Sequence, residues 1–338
     1  MAALRHVRLP SHYYAHVPKF PSYAYASRVQ TALQQELLAW KAARLPPSSP
    51  PPPPTLVSFT PTPTYTLGRR QTEPLSDEEV GRLQRPLLLP PRTDGAKNGN
   101  NTAGRSKEGG GGEGEETGFF YYQPTITHAP RGGLTTYHGP GQLVLWPVID
   151  LHSPLHAHLS VRDYACVLER TTIATLARLW GLVSFTTENP GVWVRSGSGS
   201  GSGEERKIAA LGVHLRRHVT GLGVAINYST PVAGPAETNP WARIVACGLG
   251  DRGVTSVLAE LGRRRRSGGV DRDVASDEEE AVNELAETWW SEFQSRLKFH
   301  DVVAAAAALR EYDAVSPLAK LLHDVGDNDA LVEARNVS

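Results

Sequence analysis

Arg131-Gly-Gly-Leu-Thr-Thr-Tyr-His-Gly-Pro-Gly-Gln-Leu-Val-Leu-Trp-Pro147 is the densest stretch of the chain. Gly132, Gly133, Gly139 and Gly141 allow positive φ and a close approach of backbone to a ligand. Arg131, Thr135, Tyr137, His138 and Gln142 add polar groups within the same short loop. The apolar run from Leu143 predicts a core strand fed by that loop. The stretch lacks the Gly-Lys-Ser/Thr ending of a phosphate-binding loop. It does not open a helix, as a dinucleotide fingerprint does. On its own the loop also fits a pair of turns with solvent-facing polar groups.

Outward from this loop, residues 56–59, 143–149, 191–195, 208–215 and 222–228 read as strands. Val29, Leu33, Leu37 and Trp40 recur at helical spacing and predict a helix over 26–44. Ser160 and Asp163 form a capping box, and Val161, Tyr164, Leu168, Thr172, Leu176 and Leu179 continue one stripe to Trp180. Gly181 then ends that helix. A last helix over 280–298 carries Leu285, Trp289, Phe293 and Leu297 on one face. Short strands with two or three helices, and no regular strand–helix alternation, predict an α+β or mixed α/β domain.

The chain has 338 residues, with 35 Lys+Arg balanced by 35 Asp+Glu. This balance argues against a protein that coats nucleic acid or an anionic membrane, because both need a basic excess. No run of about 18 apolar residues is present to make a spanning helix. With two cysteines, Cys166 and Cys247, the chain is not a disulfide scaffold, and a reducing compartment is the simpler reading. Gly and Pro concentrate in fillers. Residues 46–54 are mostly Pro and Ser, 93–118 are rich in Gly, Asn and Glu, and 196–203 alternate Ser and Gly. Residues 263–280 hold a basic block and then an acidic one. All four read as mobile insertions. The block Arg263–Arg266 could be a nuclear or nucleic-acid signal, but the nearby acids favour a solvated loop. These readings give one folded domain over 1–300, interrupted by the insertions, and a tail over 301–338. Residues 1–35 are basic and contain no acid, which fits either a mitochondrial targeting segment or the start of the folded domain.

Lys207 begins an otherwise apolar strand. It fits a strand-end residue whose head reaches water or a group tuned for acid/base work. Cys247 lies between an apolar run and a Gly-rich turn, a setting that suits either a reactive thiolate or a small core residue. Cys166 sits inside a helix and reads as structural. His152, His156 and His158 lie close together in a Pro-containing loop and read as surface residues. Neither Cys-x-x-Cys nor His-Glu-x-x-His occurs, so no metal site is expected.

Three motifs in order, Arg131-Gly-Gly-x-x-Thr-Tyr-His-Gly-Pro-Gly-Gln142, Lys207-Ile-Ala-x-x-Gly212 and Cys247-Gly with Gly253-Val-Thr-Ser256, resemble the lipoyl(octanoyl) transferases. This family is also called the octanoyl-carrier-protein–protein N-octanoyltransferases. Thr64-Tyr-Thr-Leu-Gly-Arg69 and Gly191-Val-Trp-Val194 resemble further family segments, so the likeness runs from about Leu4 to Phe299. It implies a biotin/lipoate-ligase-like α/β fold, with a mixed sheet flanked by helices. It also implies transfer of an octanoyl group from an acyl-carrier-protein thioester to a lysine on a lipoyl domain. The acceptors would be the E2 subunits of 2-oxoacid dehydrogenases and the glycine-cleavage H protein. No cofactor is implied. By the resemblance, Cys247 forms the acyl-thioester and Lys207 is its acid/base partner. Arg131, Gly132, Gly133, Leu134, Thr135, Thr136, Tyr137, His138, Ala210, Leu211, Gly212, Gly223, Val224 and Ala225 would line the acyl site. The chain departs from the family pattern in the Gly/Ser stretch before Lys207 and in the length of 227–247. The insertions resemble those of fungal and other eukaryotic members, which implies the mitochondrial matrix.

Two other functions share these features. One is a ligase of the same fold that adenylates lipoate or octanoate with ATP and does not need Cys247. The other is a non-catalytic module that binds lipoyl domains or carrier protein. A cysteine hydrolase would ordinarily pair its Cys with His, and none lies close to Cys247 in sequence.

Overall fold

The structure, a computed structural model, describes residues 5–14, 17–43, 51–89, 120–195, 203–244, 252–266, 277–301, 331–333 and 335–336. The first elements are β1 (Arg5–Arg8), β2 (His12–Tyr14), β3 (Val17–Pro21), α1 (Tyr23–Ala42), β4 (Thr55–Phe59), β5 (Thr64–Leu67), α2 (Asp77–Leu83), β6 (Leu87–Leu89), β7 (Phe120–Tyr122), β8 (Thr125–His128), β9 (Thr136–His138) and β10 (Gln142–Val148). They are followed by α3 (Val161–Trp180), β11 (Gly191–Arg195), β12 (Glu205–Arg216), β13 (Val219–Asn227), β14 (Gly253–Val254), α4 (Val257–Arg266), α5 (Glu278–Arg296), β15 (Leu331–Glu333) and β16 (Arg335–Asn336).

The main sheet runs β1-β4-β10-β13-β12-β11, with β14 added against β12. Its β1–β4 and β12–β14 pairs are parallel and the others antiparallel. The fold is therefore mixed α/β, as the pattern of elements implied. Every residue of β10 is buried, because helices cover both faces of the sheet and the apolar run need not alternate with polar residues. Leu143 and Leu145 pack with Tyr164, Leu168, Trp289 and Phe293 of α3 and α5. Val144, Trp146 and Val148 point the other way, onto Ala26, Val29 and Leu33 of α1. A third core holds Tyr65, Tyr137, Leu87, Phe120 and Trp241 around the smaller sheets.

The helix ends follow their capping chemistry. Ser160 accepts from Asp163 N and Asp163 returns a bond to Ser160 N. At the other end of α3, Gly181 takes φ 62°. Helix α1 begins earlier than its apolar spacing indicated, because Ser22 accepts from Tyr25 N and so caps the first turn.

Two of the expected mobile stretches are instead built into the fold, at least in part. Arg263–Arg266 form the last turn of α4, where Arg263 bonds Glu260 at 2.7 Å and Arg264 bonds the Trp180 carbonyl at 3.3 Å. Asp277 caps α5 and Glu278–Glu280 form its first turn. Cations thus sit at a helix C-terminus and anions at an N-terminus, where the macrodipole favours each. Residues 51–54 are buried beside the main sheet, not solvated. The remainder of those two stretches, residues 93–118 and residues 196–202 lie outside the described residues. Of the tail beyond residue 301, β15 pairs with β3 and β16 with β7. Among the described residues, no helix is long and apolar enough to cross a membrane.

Candidate active site

Arg131 folds back on its own loop and ties that loop to β5. Its Nη1 donates to the carbonyls of Gly132 and Leu134, both at 2.9 Å. Its Nη2 donates to the carbonyl and hydroxyl of Thr66, both at 2.8 Å. The loop then enters β9, where alternation divides the residues between two faces. Thr136 and His138 line a small inner cavity. Tyr137 points away, fully buried against Tyr65 and Trp241.

The cavity floor comes from β12 and β13. Ala210 faces Ala225, Leu211 faces Val224 and Gly212 faces Gly223 across the antiparallel pair. Glycine at 212 and 223 lets the Arg131 side chain and the β10 backbone pack close against this pair. A Cβ on Gly212 would stand 2.6 Å from Arg131 Cδ, and one on Gly223 would stand 2.3 Å from the Leu145 carbonyl. Tyr23, Trp146 and Leu222 close the cavity. Tyr23 stacks on His138 at 5.5 Å and meets Trp146 edge-on at 5.2 Å.

Arg131, Leu211 and Gly212 also line a wider outer cleft that opens to solvent, so the two spaces share a wall. The cleft includes Lys207, Gly132, Gly133, Arg70, Arg162, Cys166, Glu169 and the turn 187–190. Lys207 is buried to 7% exposure. Its Nζ donates to the Pro190 carbonyl at 3.1 Å and lies 4.7 Å from the centre of the Trp193 ring. Arg252 lies 5.3 Å from the same ring. An indole beside two cations gains electrostatic attraction from each.

Buried bonds tie the three motifs together. His138 Nδ1 meets Gln142 Oε1 at 2.7 Å. That oxygen only accepts, so the neutral ring carries its proton on Nδ1. Gln142 donates to Asn227 at 2.8 Å, and Asn227 donates to the Thr255 carbonyl at 3.0 Å. Thr255 N in turn donates to the Lys207 carbonyl at 3.0 Å. Burial, aided by the Arg131 charge and opposed by the Gln142 bond, lowers the His138 pKa to about 4. The ring is neutral at physiological pH. Burial raises the pKa of Glu169, against the opposing pull of the Gly191 N–H and the Lys207 charge.

Most of the residues proposed from the sequence therefore meet around one cavity and one cleft. Leu134 and Thr135 are half-buried and line neither; Leu134 contributes its carbonyl to Arg131. Tyr137 serves the third core. Cys247 lies outside the described residues; the chain is described again from Arg252, five residues later. Cys166, expected to be structural, is exposed on the cleft wall, because it lies off the apolar stripe of α3. Of the three clustered histidines, His156 is fully buried. His152 instead stacks with His158 at 4.9 Å and meets His218 at 3.8 Å between ring centres. Among the described residues, no group of three or more His, Cys, Asp or Glu side chains is arranged to hold a metal. Tyr23 and Glu169 were not singled out from the sequence. Tyr23 stands in front of the apolar repeat that marks α1, and Glu169 meets the site through backbone atoms far from it in sequence.

Residues 123–275 match the family described as the lipoyl protein ligase A/B catalytic domain. A probable octanoyltransferase of Schizosaccharomyces pombe is 39% identical over 160 residues, covering 47% of this chain and 62% of the relative. The octanoyl-acyl-carrier-protein:protein N-octanoyltransferase LIPT2, mitochondrial, of Danio rerio is 36% identical over 170 residues, covering 50% and 62%. An octanoyltransferase of Arthrobacter sp. is 36% identical over 152 residues, covering 45% and 63%. The chain thus spans less than two thirds of the length of these relatives. Over the aligned residues the chain is similar to octanoyltransferases, the family its three motifs resemble.

Proposed function

We propose that the protein is an octanoyltransferase that moves an octanoyl group from an acyl-carrier-protein thioester to a lysine of a lipoyl domain. The observation that carries this reading is the apolar hollow over Ala210–Gly212 and Gly223–Ala225, which shares a wall with the cleft that holds Lys207. In this reading an eight-carbon chain lies along the cleft with its end against the small hollow, and the cleft leaves room for a carrier arm and then for an acceptor lysine.

The thiolate of Cys247 attacks the thioester carbonyl of octanoyl-carrier protein, and the carrier thiol leaves with a proton. The acceptor amine then attacks the new thioester, forms an amide, loses a proton and releases Cys247. The first exchange trades one thioester for another; the second is downhill because an amide is more stable, so the sequence needs no ATP. Lys207 is the acid/base partner. As a cation it favours the thiolate, and in its free-base form it takes the proton of the incoming amine. The acceptors in this reading are lipoyl domains of 2-oxoacid dehydrogenase E2 subunits and the glycine-cleavage H protein. The setting is the mitochondrial matrix, in line with the name of the Danio rerio relative.

Intact-protein mass spectrometry after mixing with octanoyl-carrier protein, without ATP, tests the reading. One octanoyl group should be gained and then passed to an added lipoyl domain. Transfer that requires ATP and free acid would make the protein a ligase, and binding without turnover would make it a docking module.

A further inference from the structure

Glu169 is a half-buried carboxylate on the cleft wall that the reaction above does not use. Its Oε1 accepts the N–H of Gly191 at 3.0 Å. The carbonyl of that same peptide group, Pro190 C=O, accepts from Lys207 Nζ at 3.1 Å. A trans peptide is planar, with its N–H and C=O pointing in opposite directions. One amide plane therefore joins the carboxylate to the lysine. We propose that Glu169 is the positioning residue of Lys207, acting through the Pro190–Gly191 peptide. The proposal rests on the reading of Lys207 as the acid/base partner.

Two physical effects follow from this arrangement. The carboxylate fixes which side of the peptide faces the lysine; a flipped peptide would turn its N–H toward an ammonium. A carboxylate on the N–H also polarises the amide and makes its oxygen a stronger acceptor, since linked hydrogen bonds reinforce one another. Other contacts hold the peptide in place. Gly191 has φ 124°, and a Cβ there would stand 2.6 Å from the Ala209 carbonyl and 3.4 Å from Lys207 Cε. The preceding turn is tied down where Trp193 Nε1 donates to the Asn189 carbonyl at 3.1 Å and Asn189 N donates to Thr187 Oγ1 at 3.1 Å. Arg252 bonds Glu188 at 2.8 Å and pairs with Glu205 at 3.4 Å. The charged groups around Lys207 thus include Arg252, Glu188 and Glu205 besides Glu169.

The test reads Lys207 directly. Competitive labelling of the lysines with acetic anhydride across the alkaline range, quantified by peptide, gives the midpoint at which each amine becomes reactive. Glu169→Gln keeps an oxygen for the Gly191 N–H and removes the charge; Glu169→Ala removes both. The Lys207 midpoint should fall by about half a unit in Glu169→Gln and by about one unit in Glu169→Ala. Lys41, which pairs with Asp150, should not move. Octanoyl transfer should slow about tenfold in Glu169→Ala with KM little changed, and its pH profile should shift in the direction of the labelling midpoint. A Lys207 midpoint unchanged in Glu169→Gln overturns the proposal, even where Glu169→Ala fails to fold. If the parent protein transfers no octanoyl group, the proposed function fails, while the labelling still decides the role of Glu169.

Discussion

Val254 runs beside Lys207 in a parallel pair, so the strand start that carries the lysine is bonded directly to the chain that follows Cys247. Strand β13 pairs with β12 from Ala209 onward, and β14 pairs with Arg206 and Lys207, just upstream of it. Arg206, the neighbour of Lys207, then holds Glu260 of α4 through two bonds of 3.0 Å. Motifs far apart in sequence thus share one short stretch of sheet. The insertion before Lys207 lies upstream of this junction and does not interrupt it.

In the proposed reaction the thiol to be acylated is Cys247. Cys247→Ser should abolish a hydroxylamine-sensitive gain of one octanoyl group, and Cys166→Ser should keep it. The control has force because Cys166 is exposed on the same cleft as Lys207. Mass spectra of both variants decide the matter; an adduct that persists in Cys247→Ser sinks the covalent route as drawn.

Lys207 should govern the reactivity of that thiol. A free cysteine titrates near about 8.5, and a neighbouring ammonium lowers this by favouring the thiolate. Lys207→Ala should therefore move the alkylation midpoint of Cys247 to higher pH. Lys207→Arg keeps the charge but cannot give up a proton near neutrality. It should preserve much of the alkylation rate and still slow transfer to the lipoyl-domain lysine. If Lys207→Ala changes neither quantity, the lysine is only a strand-end residue.

Gly212 lies under Arg131 with no room for a methyl group, since a Cβ would come within 2.6 Å of Arg131 Cδ. The guanidinium cannot retreat without breaking its bonds to Thr66, Gly132 and Leu134. Gly212→Ala should cost about 1–3 kcal/mol of stability, the usual range for overpacking. It should also raise the KM for octanoyl-carrier protein, because both spaces meet at this wall. Urea unfolding and steady-state kinetics measure the two effects.

Local chemistry made α1, α3 and α5 readable in advance, whereas α2 and α4 were not read from the sequence. The Ser160–Asp163 box and Gly181 mark both ends of α3, and the apolar runs of β10 and β13 announce strands buried on both faces. The charged run 263–266 was misleading, because what orders it is tertiary. Arg263 needs Glu260, and Arg264 needs the carbonyls at the end of α3. The part of Glu169 was hidden for a similar reason: its link to Lys207 passes through a peptide group, which no pattern of side chains reveals. Of the candidate residues in β9, only strand alternation separates Thr136 and His138, which face the cavity, from Tyr137, which does not.

His138 makes stability fall in acid. Its folded pKa of about 4 lies below the ordinary histidine value of 6.5. The unfolded chain therefore binds this proton first. Stability from this group is complete above about pH 6.5, declines as pH falls toward about 4, and then levels off. The loss at about pH 5 is of the order of 2 kcal/mol. His138→Gln should shrink the difference between urea midpoints at about pH 7 and about pH 5. Some difference should remain, because His6 is also lowered to about 4 by burial and by Arg8. An unchanged difference in His138→Gln would mean that the ring is already charged in the folded protein.

Residues 93–118 should be replaceable. The strands on either side are β6 and β7, and their register pairs Leu89 with Phe120. Paired residues of neighbouring antiparallel strands lie only about 5 Å apart. A short Gly/Ser linker in place of 93–118 therefore has little distance to span. The entropy of closing a loop changes by only about 0.6 kcal/mol per doubling of its length, so the shortened protein should be as stable as the parent or slightly more so. Leu89 and Phe120 belong to the third core, with Tyr65 and Tyr137, and not to the walls of the inner cavity. Octanoyl transfer should thus stay within a few-fold of the parent. Thermal unfolding and the mass-spectrometric transfer assay check both statements. A shortened protein that no longer folds would show that 93–118 packs against the domain, and one that folds but fails to transfer would place a substrate contact in that segment.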